Sequence, residues 1–462
     1  MRTLPILPTL LLTAIGSTAG LGQTATTVQL PTFGVSIAAD GVVQMQTIAD
    51  PTGALRAQRV QAAQQNLPRD VQARSPLRKI SLVRLEQALQ RRREAGQAPD
   101  ETMRHLAGLQ YVRFAFLYPD SHDIVLAGEA EAWVDDGLGR SIGVSTGRPV
   151  VRLDDLATAL RAFASDDGAK ASFIGCTIDP TAEGLARIQT LRAEMPRSIP
   201  DAARQTFAAE LDRRTRDSLG RATVRVFGIA PESHAAAVLV EADYRMKRIA
   251  IGIEPSPVPL ANYVERATGA GSGLVRYWFV PDYQRLQTDA ARQSLEVLGR
   301  GVRLQTEQWT IAADGSIQAP PTGATSAKVD PAAHGFCDDF TKRYDDIAAR
   351  SPAFAELRTV VDLLVTAAFM RRHDWFAQAR WRPTLLIDPQ VAPAGHAPTS
   401  AEAAVNTVWK GRRLISAAGG GVSIQVDQAL RPENLGEAKA THFIEKRKSA
   451  SQLPADERWW WD

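Results

Sequence analysis

Cysteine is almost missing from this chain: only Cys176 and Cys337 occur in 462 residues. A scaffold stapled by several disulfides, or a zinc site built on cysteine pairs, is therefore excluded. Excess charge is missing too. Lys and Arg number 54 against 51 Asp and Glu, so no nucleic-acid partner is implied. The one basic run, Arg91-Arg92-Arg93, reads as a solvated helix end that complements the helix dipole. Long apolar runs are absent after residue 15. The best later stretch, TVVDLLVTAAFM, is shorter than the roughly 20 residues that cross a bilayer and carries Asp362, so the chain does not read as an integral membrane protein.

Catalytic signatures are equally thin. The seven histidines are scattered and form no H-E-x-x-H pair. Asp338, Asp339, Asp345 and Asp346 fall on different faces of a helix and do not make a calcium loop, although Asp135-Asp136-Gly137 could offer oxygens to calcium. Gly269, Gly271 and Gly273 precede a strand, the reverse of a dinucleotide loop, and SAAGGGVSI lacks the P-loop lysine. GRSIG, Gly139 to Gly143, is not taken as a serine-hydrolase elbow. No catalytic residue, metal or cofactor is assigned, and the balance leans away from an enzyme.

What is present begins at the N-terminus. Met1-Arg2, apolar Leu4 to Ile15 and small residues at Ser17-Thr18-Ala19 follow the order of a secretory signal, residues 1–22. Export makes a Cys176–Cys337 bridge permissible. It would close a loop of roughly 160 residues and contribute about 4–5 kcal/mol; the alternative is two buried free thiols.

Alternation of apolar residues predicts a mixed α/β (α+β), multi-domain chain with strand-helix alternation in its centre and a C-terminal helical hairpin. Residues 28–147 read as an N-terminal α+β region opening on the hairpin GVSIAADGVVQMQ. Residues 148–311 read as a central α/β region and 312–333 as a linker. Residues 334–430 carry the helical hairpin plus strands, and 431–462 form a charged tail ending in tryptophans. In the centre, PVVRL, FIGCTI and TVRVFGI read as strands, each followed by a helical stretch. In the hairpin, Phe336, Phe340, Tyr344 and Ile347 make one stripe, and Ser351-Pro352 marks the start of a second helix.

Three places hold candidate site residues. Glu241 and Asp243 lie in the charged helix VLVEADYRMKRIAIG, where Asp243 and Lys247 are spaced to pair on the surface. His334 stands three residues before Cys337 and could assist a thiolate, although a disulfide role for Cys337 weighs more. Trp459, Trp460 and Trp461 either cover the protein's own surface or engage an envelope protein or glycan.

Three phrases carry a resemblance: VLVEADYRMKRIAIGIEP, RYWFVPDYQRLQTDAARQSLEVLGRGVRLQTE and FCDDFTKRYDDIAARSPAFAELRTVVDLL. They resemble exported bacterial proteins grouped as the domain of unknown function 1598 family, from GVSIAADGVV to about VSIQV. The resemblance implies export and a shared extracellular architecture, and carries no activity or catalytic residue. The leading expectation is a non-enzymatic exported protein, periplasmic, in the cell envelope or extracellular, with a binding or structural role. An exported hydrolase using Glu241, Asp243 or the His334/Cys337 region, or a carbohydrate-binding protein using the tryptophans, is the alternative.

Overall fold

The computed structural model describes residues 32–462, except 39, 165–172, 197, 269–273, 284–285, 312–316, 319–329, 390–394, 411–412, 418–420, 426–428, 440 and 455. The signal segment 1–22, Gly269 to Gly273 and most of the 312–333 linker thus lie outside the described residues.

The chain is α+β, with two mixed sheets and helices packed between and around them. In the nine-stranded sheet the order runs Thr32–Ile37, Val42–Ile48, Ser400–Glu402, Arg221–Phe227, Ile174–Asp179, Gly421–Ile424, Leu274–Asp282, Gly301–Ile311, Ile317–Gln318. The expected first hairpin is there: Thr32–Ile37 pairs antiparallel with Val42–Ile48, and Gly41 takes the positive φ that its turn requires. The central alternation of strand and helix also forms, but its strands Ile174–Asp179 and Arg221–Phe227 are antiparallel neighbours. Two helices, Ala182–Ala193 and Arg204–Leu219, lie between them in sequence. PVVRL departs from expectation: Val150 and Val151 are buried without forming a strand, and Leu153 opens the helix Leu153–Ala164.

The seven-stranded sheet runs Leu435–Glu437, Leu286–Thr288, Ser294–Glu296, Phe114–Tyr118, Asp123–Ala130, Ser75–Ser81, Trp460–Trp461. Side chains alternate across a strand, and both faces of this sheet are covered. Ala115, Leu117, Ile124 and Leu126 join the main core. Phe114, Phe116, Val125 and Ala127 join a second cluster with Phe443 and Trp461.

The helical hairpin forms as expected in position. Helix Pro331–Lys342 is capped by Asp330, Tyr344–Arg350 continues it, and Pro352–Arg372 follows. Phe336, Phe340, Tyr344 and Ile347 are fully buried, and Phe279 meets the rings of Phe340, Tyr344 and Phe354 at 5.8–6.4 Å.

The Cys176–Cys337 bridge is not formed: both are free and buried. Cys176 sits in strand Ile174–Asp179, while the helix carrying Cys337 packs on Gly301–Ile311. At ordinary strand spacing two to three strands separate them by roughly 10–14 Å, well beyond the Cα separation a disulfide spans.

The tryptophan tail is part of the fold. Trp460 and Trp461 pair antiparallel with Ile80 and Lys79, and Ser81 N donates to Trp459 O at 2.9 Å. Because neighbours on a strand point to opposite faces, Trp460 enters the main core and Trp461 the second cluster. All three rings are at most 8% exposed, so they offer no stacking platform for a glycan.

Candidate functional site

The helix His234–Ala250 was expected to present one apolar stripe, and Ala235, Val238, Leu239, Ala242, Met246 and Ile249 are all buried. Ser233 caps it by accepting from Ala236 N at 3.1 Å. The helix is also covered on its other faces, by strand Ile174–Asp179 and by helices Leu153–Ala164 and Pro352–Arg372. Its charged residues are therefore buried, which corrects the surface ion pair expected from spacing. Lys247 Nζ meets Asp243 Oδ2 at 2.8 Å with both side chains inside the protein. Burial raises the Asp243 carboxyl to about 6 against the opposing pull of Lys247.

Glu241, on another face, belongs to a buried polar seam. Arg140 bonds Glu241, reaches Glu356 Oε2 at 3.0 Å and meets Asp136 Oδ2 at 3.3 Å. Burial disfavours the guanidinium, yet these carboxylates outweigh it and hold Arg140 charged. Arg245 continues the chain to Glu254 at 2.8 Å. On the other side of Glu356, His234 Nδ1 lies 3.0 Å from both Asp155 oxygens. Burial alone would lower the His234 pKa, but Asp155 overcomes it and raises it to about 9. Asp154, raised by burial and by neighbouring Asp155, is paired with Arg152 at 3.1 Å. Asp154, Asp155 and His234 each bring a ligand atom within 4.8 Å of the others, and Asp154 Oδ2 is buried without a hydrogen-bond partner. This is the place among the described residues best suited to a divalent metal, although Arg152 and charged His234 already balance the two carboxylates.

The seam surfaces at Asp154 and Arg152 in a cleft of about 660 Å³. Its charged groups come as held pairs, Arg93 with Asp388 at 3.2 Å, Arg104 with Glu101 at 3.1 Å, and Arg152 with Asp154. His105 completes the wall. Its Nδ1 lies 2.9 Å from the Glu101 carbonyl oxygen and 3.4 Å from Glu101 Oε2, and its Nε2 lies 2.8 Å from Ser141 Oγ. A carbonyl can only accept, so Nδ1 carries the proton and Nε2 accepts from the Ser141 hydroxyl. Burial lowers the His105 pKa more than the Glu101 contacts raise it, which keeps the ring neutral.

GRSIG, set aside in the sequence, does carry glycine two residues to either side of Ser141, the spacing of a nucleophile elbow. The structure supplies a different context. Ser141–Gly143 pairs with Trp133–Asp135 as a two-stranded ribbon, and Ser141 opens a strand instead of a helix, the next helix starting only at Leu153. The Ser141–His105 contact joins residues 36 apart and had no other signal in the sequence.

The remaining expected groups do not meet. His334 is exposed while Cys337, on the same helix, is buried, and burial with Asp338 pushes the Cys337 thiol far up, opposing a thiolate. Neither lies in the seam with Glu241 or Asp243. The Asp135-Asp136-Gly137 loop spends its oxygens locally: Asp135 Oδ1 accepts from Gly137 N at 2.6 Å and Asp136 Oδ1 from Leu138 N at 2.7 Å.

Fold and site together define a mixed α+β protein with a buried charged seam opening on a polar cleft. Residues 176–263 match the model of a family described as "Protein of unknown function (DUF1598)", so the resemblance read from the sequence holds over this stretch. The match takes in His234, Glu241, Asp243 and Arg245, and leaves out Ser141, His105, Asp154 and Glu356. No curated protein and no solved structure matches the chain. No helix among the described residues is long and apolar enough to cross a membrane.

Proposed function

We propose that this is an exported protein of the cell envelope or extracellular space that binds a small polar solute in the cleft beside His105, without chemistry. One observation carries the reading: a cleft of ligand size, about 660 Å³, whose charges of both signs are each pre-positioned by an internal partner. Such a wall suits a zwitterionic or multiply polar solute, because it presents charges of both signs side by side, with the Arg152–Asp154 pair held largely inside the protein. Export is supported by the order of residues 1–22. The test is a thermal-shift and calorimetric panel of amino acids, short peptides and sugars. A hit lost in Arg104→Ala supports the reading, and a flat panel sinks it.

A hydrolase is the second reading, favoured by the Ser141 hydroxyl bonded to His105, a residue of the cleft wall. Nucleophile and neutral base are hydrogen-bonded, and the Glu101 carbonyl oxygen holds the His105 Nδ1 proton, with the Glu101 carboxylate 3.4 Å away. A fluorophosphonate that labels the protein, with the adduct on Ser141 and absent from Ser141→Ala, would establish it over simple binding. No adduct at Ser141 would dismiss it.

A further inference from the structure

A second cleft, of about 410 Å³, lies where the other end of the seam surfaces at Asp136 and Arg245. One wall is the start of the Pro352–Arg372 helix. Its 21 residues leave a partial positive charge at that end, although Pro352 has no N–H and Phe354 N and Ala355 N already donate to Ser351 O at 3.1 and 3.2 Å. Ser351 occupies the capping position ahead of Pro352, yet its side chain makes no cap. The Ser351 hydroxyl belongs to a residue only 3% exposed, lines the cleft and has no hydrogen-bond partner. An unpartnered buried hydroxyl is costly, and a ligand oxygen at this position would satisfy it.

Arg56, Arg59 and Arg350 line the same cleft. Arg56 Nη2 donates to Val144 O at 3.1 Å and Arg59 Nη1 to Asp136 O at 2.6 Å. Among the described residues, none of the three has a carboxylate partner. The acids of the wall are already engaged. Asp136 bonds Arg140, Asp50 accepts from Leu55 N and Arg56 N at 3.3 and 2.9 Å, and Asp135 accepts from Gly137 N. Arg56 and Arg59 are carried by helix Ala54–Asn66, which buries none of its residues. Polar contacts across the cleft therefore hold that helix in place.

We infer that this second cleft is an oxyanion site, taking the phosphate, sulfate or carboxylate group of a small solute. The anion sits on the Ser351 hydroxyl and the helix start, and Arg59, Arg350 and Arg56 close around it. Guanidinium forks and helix N-termini both favour this chemistry, and the volume leaves room for an organic body beyond the anion. The site stands apart from the His105 cleft and does not depend on what that cleft binds.

The experiment is calorimetric titration of the full chain with inorganic phosphate, sulfate and succinate at constant ionic strength. Saturable binding of phosphate or sulfate supports the site and assigns it a tetrahedral anion; saturable binding of succinate supports it and assigns a carboxylate. No binding of any of the three overturns it. The double variant Arg59→Gln/Arg350→Gln is expected to bind at least tenfold more weakly, about 1.4 kcal/mol, and Ser351→Ala several-fold more weakly, with circular dichroism unchanged. Arg104→Gln, in the larger cleft, leaves the affinity as it was. Full affinity in the double variant, or an equal loss in Arg104→Gln, overturns the assignment.

Discussion

Asp362 shows how burial sets the behaviour of a single residue. It is enclosed within the Pro352–Arg372 helix packing, accepts from Tyr283 Oη at 2.8 Å and lies 3.6 Å from Arg358 Nε. Burial outweighs Arg358 and the Tyr283 bond and raises its pKa to about 6. An unfolded Asp titrates near 4, so between about pH 4 and 6 the native state holds this proton and the unfolded state releases it. Asp362 therefore makes stability fall as pH rises through that window, and above about 6 its charge is buried at full cost. Asp362→Asn should gain on the wild type by on the order of 2 kcal/mol from pH 4 to pH 6.5. Urea unfolding at several pH values measures this, and a difference constant across the window would refute it. The sequence showed that Asp362 interrupts an apolar helix and stands four residues after Arg358, its ion-pair partner; its other neighbour Tyr283 is 79 residues away, so no spacing could pair them.

The closing strand shows what an element adds. Arg78 has no exposed side-chain surface, and Asp462 binds it at 2.8 and 2.9 Å. Arg78 and Arg458 also stand over the Trp460 ring at 4.5 and 5.0 Å. Removing residues 459–462 should cost about 3–5 kcal/mol or more, because it strips a large aromatic from the core and leaves a buried guanidinium without its carboxylate. Asp462→Ala alone should cost about 1.5–3 kcal/mol, the range for a hydrogen bond to a charged group. Thermal and urea unfolding check both; unchanged stability in the truncated chain would mean that the strand is not docked in solution. Three consecutive indoles marked the tail as something to be covered, while its strand partner, Ser75–Ser81, lies nearly 400 residues earlier. The helix Thr441–Ala450 was not legible at all, since it buries only Phe443 and Ala450 and so carries no apolar period.

At the scale of the whole molecule, the nine-stranded sheet draws on residues 32–48, 174–318 and 400–424, across the boundaries expected from composition. Cys176 is in this sheet and Cys337 packs on it through its helix. Burial raises both thiols far above their usual range, so neither should react with a thiol reagent in the native protein. During urea unfolding both are expected to become reactive in one transition, with no reductant needed. Labelling followed by peptide mass analysis decides the matter: two separated transitions would show independently folding regions, and a thiol released only by reductant would restore the disulfide.

The sequence by itself determined the local elements, because the stripe of Phe336, Phe340, Tyr344 and Ile347, the turn of the GVSIAADGVVQMQ hairpin and the Ser351-Pro352 start are properties of nearby residues. It also determined the α+β class, and it agrees with the structure that no helix among the described residues is long and apolar enough to cross a membrane. Only the tertiary structure decided which charges are buried, that Arg140 bridges Glu241 and Glu356, that Ser141 meets His105, and that Ser351 shares a cleft with arginines from a helix some 300 residues earlier. Those outcomes depend on contacts between distant segments, whose closeness is set by packing the whole core and leaves no trace in local spacing.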